Sequence, residues 1–222
     1  MSQKNLKTRS FESEYWPTYY SKPKEMDAIG NKRIHCRYLS LLFKLDQVEI
    51  NSILDLGTGL GFFFDALIAE FKPHCALAIE PSKMAFKKAK KNIKVPSANM
   101  KFKILNTDIK SWCENSHYLN QVFDLAVCTS VFQYLDLKEL KIVIPIIAKR
   151  VKFLYLTVPT NLEYLRMKED NGFTDTYAYS RTQKFYLNLL RPHFTFISNR
   201  LLESKIHYDE MNCEFREYLY RF

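Results

Sequence analysis

The stretch that decides the fold is Ser52-Ile53-Leu54-Asp55-Leu56-Gly57-Thr58-Gly59-Leu60-Gly61-Phe62-Phe63-Phe64. It begins as an apolar run typical of a buried strand, turns through alternating glycines, and continues into a segment that predicts a helix over residues 62–71. The chain has 5 glycines, and three of them lie in this turn. Glycine allows backbone conformations that other residues avoid, and it lets the backbone approach a ligand closely. The stretch therefore predicts a ligand site at the carboxyl end of the first strand of an α/β sheet.

The composition is that of a protein with one sizeable core. Of 222 residues, 47% are hydrophobic and 26% are charged, which fits a single domain over residues 1–222. No apolar run approaches the ~20 residues of a membrane span, and the N-terminus lacks the pattern of a secretory signal. The 5 cysteines have no metal-binding or CxxC spacing. They predict reduced, packed thiols in a cytoplasmic protein, with no metal site.

The net charge of +9 is the unusual feature of the composition. It is typical of a surface that binds nucleic acid or anionic membrane, or of lysines spread over a solvated surface. The densest run keeps its lysines mostly to one side of a predicted helix, at Lys83, Lys87, Lys90, Lys91 and Lys94. Arginine and aromatic residues do not alternate with them as on base-stacking surfaces. A solvated surface is therefore favoured, nucleic acid stays an open alternative, and no membrane partner is expected.

The order of predicted elements indicates a parallel sheet. Over residues 51–159, strands of about six residues alternate with helices of about ten to fifteen, as in βαβ units. Residues 1–50 form an N-terminal arm, with a helix predicted over 24–43. The long polar connection 160–181 predicts a lid or a substrate-side insert. Residues 182–222 complete the domain with a helix over 182–190 and strands over 194–199 and 214–222.

Acidic residues at the ends of three predicted strands indicate which ligand the glycine turn binds. A dinucleotide site requires glycine where Phe62 stands, and a P-loop requires a Gly-Lys-Ser/Thr ending that is missing. Asp55 precedes the first glycine by two residues and would repel a diphosphate. Glu80 ends the second strand, where a carboxylate accepts hydrogen bonds from ribose hydroxyls. Asp108 follows the third strand, where it either accepts from an exocyclic amine or caps a helix.

Together these residues resemble the class I S-adenosylmethionine-dependent methyltransferases of the small-molecule type, over residues 52–159. The resemblance implies a Rossmann-like α/β fold, with a doubly wound, mostly parallel seven-stranded sheet and an antiparallel last strand. It also implies S-adenosyl-L-methionine as the methyl donor and S-adenosyl-L-homocysteine as the product. The residues that it implies for cofactor binding are Asp55, Gly57, Thr58, Gly59, Gly61, Phe62, Glu80, Pro81, Asp108, Ile109 and Thr129.

The residues after the fourth predicted strand bear on catalysis. They lack the Asn/Asp-Pro-Pro-Tyr motif of enzymes that methylate amino groups of nucleic acids, and the Pro-Cys motif of enzymes that methylate cytosine at C5. The loop resembles that of small-molecule methyltransferases, which makes Gln133 and Tyr134 the catalytic candidates; packing ahead of a helix is the alternative. Methyl transfer needs chiefly alignment and desolvation, and it needs a base only when the acceptor must lose a proton.

The acceptor site is predicted from residues of the arm and of the insert. The aromatic residues of the arm either fold over the cofactor or anchor the arm to the core. The substrate-binding candidates are Tyr15, Tyr19, Tyr20, Asp175, Tyr177 and Arg181. Three hypotheses follow: a methyltransferase acting on oxygen or nitrogen of a small molecule, one acting on RNA or protein through the basic surface, and a non-catalytic cofactor-binding or assembly module.

Overall fold

The computed structural model describes residues 29–95, 98–115, 121–209 and 212–213. Two compact units divide the chain, unit 1 ending at Ile109 and unit 2 beginning at Lys110. Among the described helices, none is both long enough and apolar enough to cross a membrane. The elements up to β3 are α1 (Lys32–Leu45), β1 (Ser52–Leu56), α2 (Phe62–Phe71), β2 (Cys75–Ile79), α3 (Lys83–Asn92) and β3 (Lys101–Leu105).

The elements after β3 begin with a short helix at the boundary of the two units. A 3₁₀ turn, Phe132–Tyr134, follows the fourth strand. The elements are α4 (Ile109–Glu114), β4 (Phe123–Thr129), α5 (Leu137–Arg150), β5 (Val151–Thr157), α6 (Asn161–Asn171), α7 (Gln183–Leu190), β6 (Phe194–Phe196) and β7 (Leu201–Ser204).

The three strands of unit 1 are parallel and lie in the order β3-β2-β1. Nearly all residues of β1 and β2 are buried, as their apolar runs predict for strands covered on both faces. Leu56 pairs with Ile79, and Ile79 pairs with Leu105, so the three strands end at the same level. The residues that follow each strand therefore lie side by side at one edge of this unit.

The four strands of unit 2 lie in the order β4-β5-β7-β6. Strands β4 and β5 are parallel, and β7 is antiparallel to both of its neighbours. With the strands of unit 1 they make up a seven-stranded, mostly parallel sheet. The predicted fold class, a Rossmann-like α/β sheet with an antiparallel last strand, is confirmed.

Two helices have the limits that their sequence indicates. Helix α3 has Ser82 as its N-cap, whose hydroxyl accepts from the backbone N–H of Ala85 at 3.3 Å. It buries Ala85 and Ala89 and exposes its lysines, which confirms the predicted amphipathic pattern. Helix α5 begins after a reciprocal capping box between Asp136 and Glu139, an Asp-x-x-Glu spacing that is visible in the sequence, and it ends at Arg150.

The N-terminal and C-terminal predictions need correction or lie beyond what the structure describes. The helix predicted over 24–43 is α1, which begins at Lys32 and continues to Leu45; residues 24–28 lie outside the described residues. The strand predicted over 214–222 also lies outside them. Strand β7 was not predicted, because its four residues include Glu203. That side chain is fully buried and accepts from the Cys213 thiol at 3.0 Å.

The polar connection 160–181 contains a helix that was not predicted, because the segment is rich in polar residues. Helix α6 begins after Thr160, whose N–H donates to the Glu163 carboxylate at 2.6 Å. This Thr-x-x-Glu spacing is a helix-start signal that is visible in the sequence. The helix ends at Asn171, and its C-cap, Gly172, takes the left-handed conformation with φ +63°. The insert is therefore a helix followed by a loop.

Candidate functional site

The glycine turn of unit 1 is held in one conformation by backbone hydrogen bonds. Gly57, Gly59 and Gly61 all have positive φ values, of 92°, 56° and 80°, where other residues are strained. The N–H groups of Gly57 and Thr58 both donate to the carbonyl of Ile79, each at 3.0 Å. The Gly61 N–H donates to the Thr58 carbonyl at 2.9 Å. The turn is thereby fixed to the end of β2.

Glu80 braces the turn from the end of β2. Its carboxylate is almost fully buried and accepts from the Gly59 N–H at 2.8 Å and from the Ser82 N–H at 2.9 Å. The side chain of Asn106, just after β3, donates to the Glu80 carbonyl at 2.8 Å. Oε2 of the carboxylate accepts the bond from Gly59, and Oε1 accepts the bond from Ser82. Each of these oxygens can accept a further hydrogen bond. Glu80 therefore holds the turn and keeps hydrogen-bonding capacity for a ligand.

Asp55 and Glu80 form a pair of buried carboxyl groups. The pKa of Asp55 is raised to about 7, chiefly by burial and also by the Glu80 charge, while the Thr58 side chain lowers it. The Thr58 hydroxyl lies near this carboxyl, but it has no hydrogen-bond partner among the described residues. Burial also raises the pKa of Glu80 to about 7, against the N–H groups of Ser82 and Gly59. Two such carboxyls favour a ligand that brings positive charge.

These pKa shifts predict a pH-dependent stability. Between the ordinary pKa values of 3.8 and 4.5 and the folded values of about 7, the folded chain holds protons that the unfolded chain has released. The free energy of unfolding therefore falls as pH rises from about 5 to about 7. Urea unfolding at several pH values measures this fall, and Glu80→Gln should make it shallower. Equal slopes for the wild type and the variant would contradict the shift at Glu80.

The remaining predicted cofactor residues of unit 1 lie at the same strand ends. Pro81 directly follows Glu80 and is exposed, as is Asp108. Ile109 is buried and begins α4, and Phe62 begins α2. Asp55 is the penultimate residue of β1, Glu80 directly follows β2, and Asp108 lies three residues after β3, so the three acids lie at the carboxyl ends of adjacent strands. The unpartnered Thr58 hydroxyl and the two buried carboxyls fit a ligand that has an ammonium group and a ribose.

Thr129, the predicted cofactor residue of unit 2, is the last residue of β4. The next residue, Ser130, has a φ of 53°, which strains a residue with a side chain. Its N–H donates to the Thr157 carbonyl at 2.8 Å. No described residue forms a hydrogen bond with the buried Thr157 hydroxyl. Backbone strain at a strand end is typical of functional sites.

The two catalytic candidates lie in the 3₁₀ turn after β4 and contact the insert. Gln133 is only 2% exposed, and its carbonyl accepts from the Tyr179 N–H at 2.8 Å. The Tyr134 hydroxyl donates to the Asp175 carboxylate at 2.7 Å. The same carboxylate accepts from the Tyr177 N–H at 2.9 Å. The turn that carries Gln133 and Tyr134 therefore contacts the loop of the insert that carries Asp175 and Tyr177.

Arg181 holds the same turn in place. Its guanidinium donates to the Leu135 carbonyl at 2.7 Å and to the Phe132 carbonyl at 3.4 Å. It also lies over the Tyr179 and Phe185 rings, at 4.4 and 4.8 Å from their centroids. These contacts show that Arg181 positions the turn, and a direct contact of its guanidinium with the acceptor stays a prediction.

Two tyrosines that the sequence did not single out belong to this region. The hydroxyls of Tyr164 and Tyr186 are buried and find no hydrogen-bond partner in the part of the chain that the structure describes. Burial raises the pKa of both phenols, and nearby Asp175 adds to the shift at Tyr164. The capping box formed by Thr160 and Glu163 marks the start of helix α6, which carries Tyr164. It is the sequence signal that could have placed this tyrosine on a helix. The predicted substrate residues Tyr15, Tyr19 and Tyr20 lie outside the described residues.

The metal-binding and thiol groups of the described residues bear on which chemistry the site can perform. Among the described residues, no group of three or more His, Cys, Asp or Glu side chains could hold a metal ion. All five cysteines are free thiols. Cys128, at the end of β4, is fully buried, as expected for a packed thiol.

A family comparison matches the central part of the chain. Residues 53–152 match the family model of the methyltransferase domain. The matched segment begins in β1 and ends in β5, so it includes the glycine turn, Glu80 and the turn after β4. A comparison with curated protein sequences found no match.

Solved structures share the fold at low sequence identity. The plantazolicin methyltransferase BpumL in complex with SAH is 18% identical, with a TM-score of 0.62 over 85% of this chain and 76% of that chain. Magnesium protoporphyrin IX methyltransferase (ChlM) from Synechocystis PCC 6803 with bound SAM is 14% identical, with a TM-score of 0.58 over 92% and 97%. The small RNA methyltransferase HEN1 is 13% identical, with a TM-score of 0.56 over 82% and 26%.

Proposed function

We propose that this chain, a class I S-adenosylmethionine-dependent methyltransferase by its family match and its fold, transfers the methyl group to an oxygen or nitrogen atom of a small-molecule acceptor. The observation that carries the proposal is the glycine turn braced by Glu80. Its backbone is fixed by hydrogen bonds to β2, and an unpartnered hydroxyl and two buried carboxyls line it.

The residues of unit 1 have separate roles in holding the donor. Asp55 and the glycine turn bind the methionine portion, where the carboxylate complements an ammonium group. Glu80 accepts hydrogen bonds from the ribose hydroxyls through the lone pairs that Gly59 and Ser82 leave open. Asp108 and Ile109 frame the adenine. The sulfonium of the donor supplies an activated methyl group, and the protein supplies alignment and desolvation. Thr129 stays a predicted neighbour of the donor.

Two observations support a small acceptor. Within unit 2, the loop of the insert folds back on the turn after β4, through the Tyr134–Asp175 bond and the Arg181 contacts. A turn covered in this way suits a small molecule better than a polymer. Among the structural neighbours, ChlM acts on magnesium protoporphyrin IX, which is a small molecule.

The basic surface of unit 1 favours RNA as a second candidate acceptor. Residues 81–105 contain eight lysines and no acidic residue, and all eight side chains are exposed. A dense positive field of this kind attracts phosphate backbones, and HEN1 is a small RNA methyltransferase. These lysines are Lys83, Lys87, Lys88, Lys90, Lys91, Lys94, Lys101 and Lys103.

A comparison of acceptor fractions tests the proposal. The purified protein is incubated with S-adenosylmethionine and either a low-molecular-mass metabolite fraction or total RNA, and S-adenosylhomocysteine formation is measured. We expect product formation with the metabolite fraction at a rate that salt changes little. Turnover with RNA alone, with a rate that falls steeply as salt rises, would favour the second candidate. The free cysteines support the further proposal that the protein works in the reducing cytoplasm.

A further inference from the structure

Five polar side chains of unit 2 form a group whose hydrogen bonding is incomplete. We call Gln133, Tyr134, Tyr164, Asp175 and Tyr186 the tyrosine–aspartate cluster. Gln133 and Tyr186 are 2% and 4% exposed. Among the described residues, the Gln133 side-chain carbonyl and the Tyr164 and Tyr186 hydroxyls are buried without a hydrogen-bond partner, and the Arg181 guanidinium lies near the Tyr186 hydroxyl. Buried polar atoms of folded proteins are nearly always paired, so three unpaired atoms in unit 2 point to a partner that the described residues do not supply.

The members of the cluster are neighbours in space. The Tyr134 hydroxyl donates to the Asp175 carboxylate at 2.7 Å, and Gln133 precedes Tyr134 in the same 3₁₀ turn. Tyr164 lies within electrostatic range of both Asp175 and Tyr186. Helix α7 also lies beside the turn after β4, because Arg181 lies 4.8 Å from the centroid of the Phe185 ring and donates to the Leu135 carbonyl at 2.7 Å. The turn, the insert and helix α7 are therefore neighbours.

The cluster presents hydrogen-bond acceptors and negative charge. Asp175 offers carboxylate oxygens, Gln133 offers a carbonyl, and the tyrosines offer hydroxyl oxygens. The Glu163 charge also acts on Tyr164. Arg181 is the cation that faces Tyr186, and its guanidinium donates to the carbonyls of Phe132 and Leu135. A ligand that carries donors and positive charge would complement these groups.

We propose that the tyrosine–aspartate cluster binds an amino group of the acceptor, so that the substrate class is an amine-bearing small molecule. An ammonium group has three donors and one positive charge, which match Asp175, the Gln133 carbonyl and the hydroxyl oxygens. Tyrosine rings also attract cations at their faces. A carboxylate or phosphate in the same place would meet the charge of Asp175. This inference rests on the proposed function, because it assigns the acceptor of that reaction.

Paired probes test the chemistry of the ligand. With S-adenosylhomocysteine bound, the protein is titrated with 2-phenylethylamine and 2-phenylethanol, and with cyclohexylamine and cyclohexanol. Saturation-transfer NMR measures binding. We expect each amine to bind at least roughly tenfold more tightly than its alcohol, because the alcohol leaves the carboxylate without a cation. Equal binding within each pair, preference for the alcohols, or binding by neither amine overturns the inference.

Three substitutions test the residues. Tyr164→Phe and Tyr186→Phe each remove an unpartnered hydroxyl, so the melting temperature of the free protein should stay unchanged or rise. The affinity for the amines should nevertheless fall by roughly tenfold, as it should for Asp175→Asn. A purely structural role would give the opposite result, with a lower melting temperature and unchanged amine affinity. Tyr208→Phe is the matched control, since its ring stacks on Phe153 at 5.2 Å, outside the cluster.

Separate measurements distinguish failure of this inference from failure of the proposed function. S-adenosylhomocysteine affinity is measured for the wild type and each variant. Affinity within about twofold of the wild type in the cluster variants, together with lost amine binding, supports the assignment. Normal cofactor affinity with no preference for amines overturns the inference alone. Absent cofactor affinity in the wild type overturns the proposed function.

Discussion

Glu80→Ala is expected to weaken S-adenosylhomocysteine binding by about 100-fold or more. The substitution removes the acceptors for the ribose hydroxyls and also the brace of the glycine turn, because Gly59 and Ser82 both donate to this carboxylate. Charge-assisted hydrogen bonds are worth about 1.5–3 kcal/mol each, and 100-fold corresponds to about 2.7 kcal/mol. Calorimetric titration of the variant and the wild type measures the ratio.

Two further variants separate charge from general effects. Glu80→Gln keeps the shape and one acceptor oxygen, so its loss of affinity should lie between that of the wild type and that of Glu80→Ala. Glu49→Ala removes an exposed carboxylate of the same unit and should leave the affinity within about twofold of the wild type. Equal affinities of Glu80→Ala and the wild type would remove Glu80 from the donor site.

Gly61→Ala is expected to lower the free energy of unfolding by roughly 2–5 kcal/mol. Gly61 has a φ of +80°, and an added Cβ would lie 2.8 Å from Ile93 Cγ1 and 3.1 Å from Ala89 Cα. The left-handed conformation costs about 1–2 kcal/mol for a residue with a side chain, and overpacking adds about 1–3 kcal/mol. Urea unfolding, with the m-value checked for a change in mechanism, measures the difference.

Gly172→Ala is the matched control for this prediction. Gly172 also has a positive φ, of +63°, but an added Cβ would have no atom within 4 Å. It should therefore show the conformational cost alone, about 1–2 kcal/mol. Equal losses of unfolding free energy at the two positions would mean that the close approach of Gly61 to Ile93 and Ala89 adds nothing to the destabilisation.

The sequence predicted best those elements whose signals are local. The limits of α2, Phe62–Phe71, agree with the prediction, because the glycine turn precedes this apolar segment and Pro73 follows it. The carboxylates Asp55 and Glu80 were predicted at strand ends for the same reason, since each follows or ends a short apolar run. Local patterns are enough where one element contains the whole signal.

Contacts between residues far apart in the sequence could not be predicted from such local patterns. Glu80 holds the N–H of Gly59, which lies 21 residues earlier, so its role as a brace follows only from the folded chain. Tyr134 and Asp175 are 41 residues apart, and no spacing rule joins them. Strand β7 was missed because Glu203 gives a buried segment a charged residue. Tertiary burial overrode local preference there.

The central claim is that the glycine turn of unit 1 binds S-adenosylmethionine and not a dinucleotide. Asp55 and Glu80 are almost fully buried beside the turn, so they favour the cationic donor and disfavour a diphosphate. The turn also has Phe62 where a dinucleotide site has glycine.

Calorimetric titration of the wild-type protein with S-adenosylhomocysteine and with NAD tests this claim most directly. We expect saturable binding of S-adenosylhomocysteine at a single site and no detectable heat from NAD at the same concentrations. Binding of NAD as tight as that of S-adenosylhomocysteine, or no binding of S-adenosylhomocysteine at millimolar concentration, would contradict it.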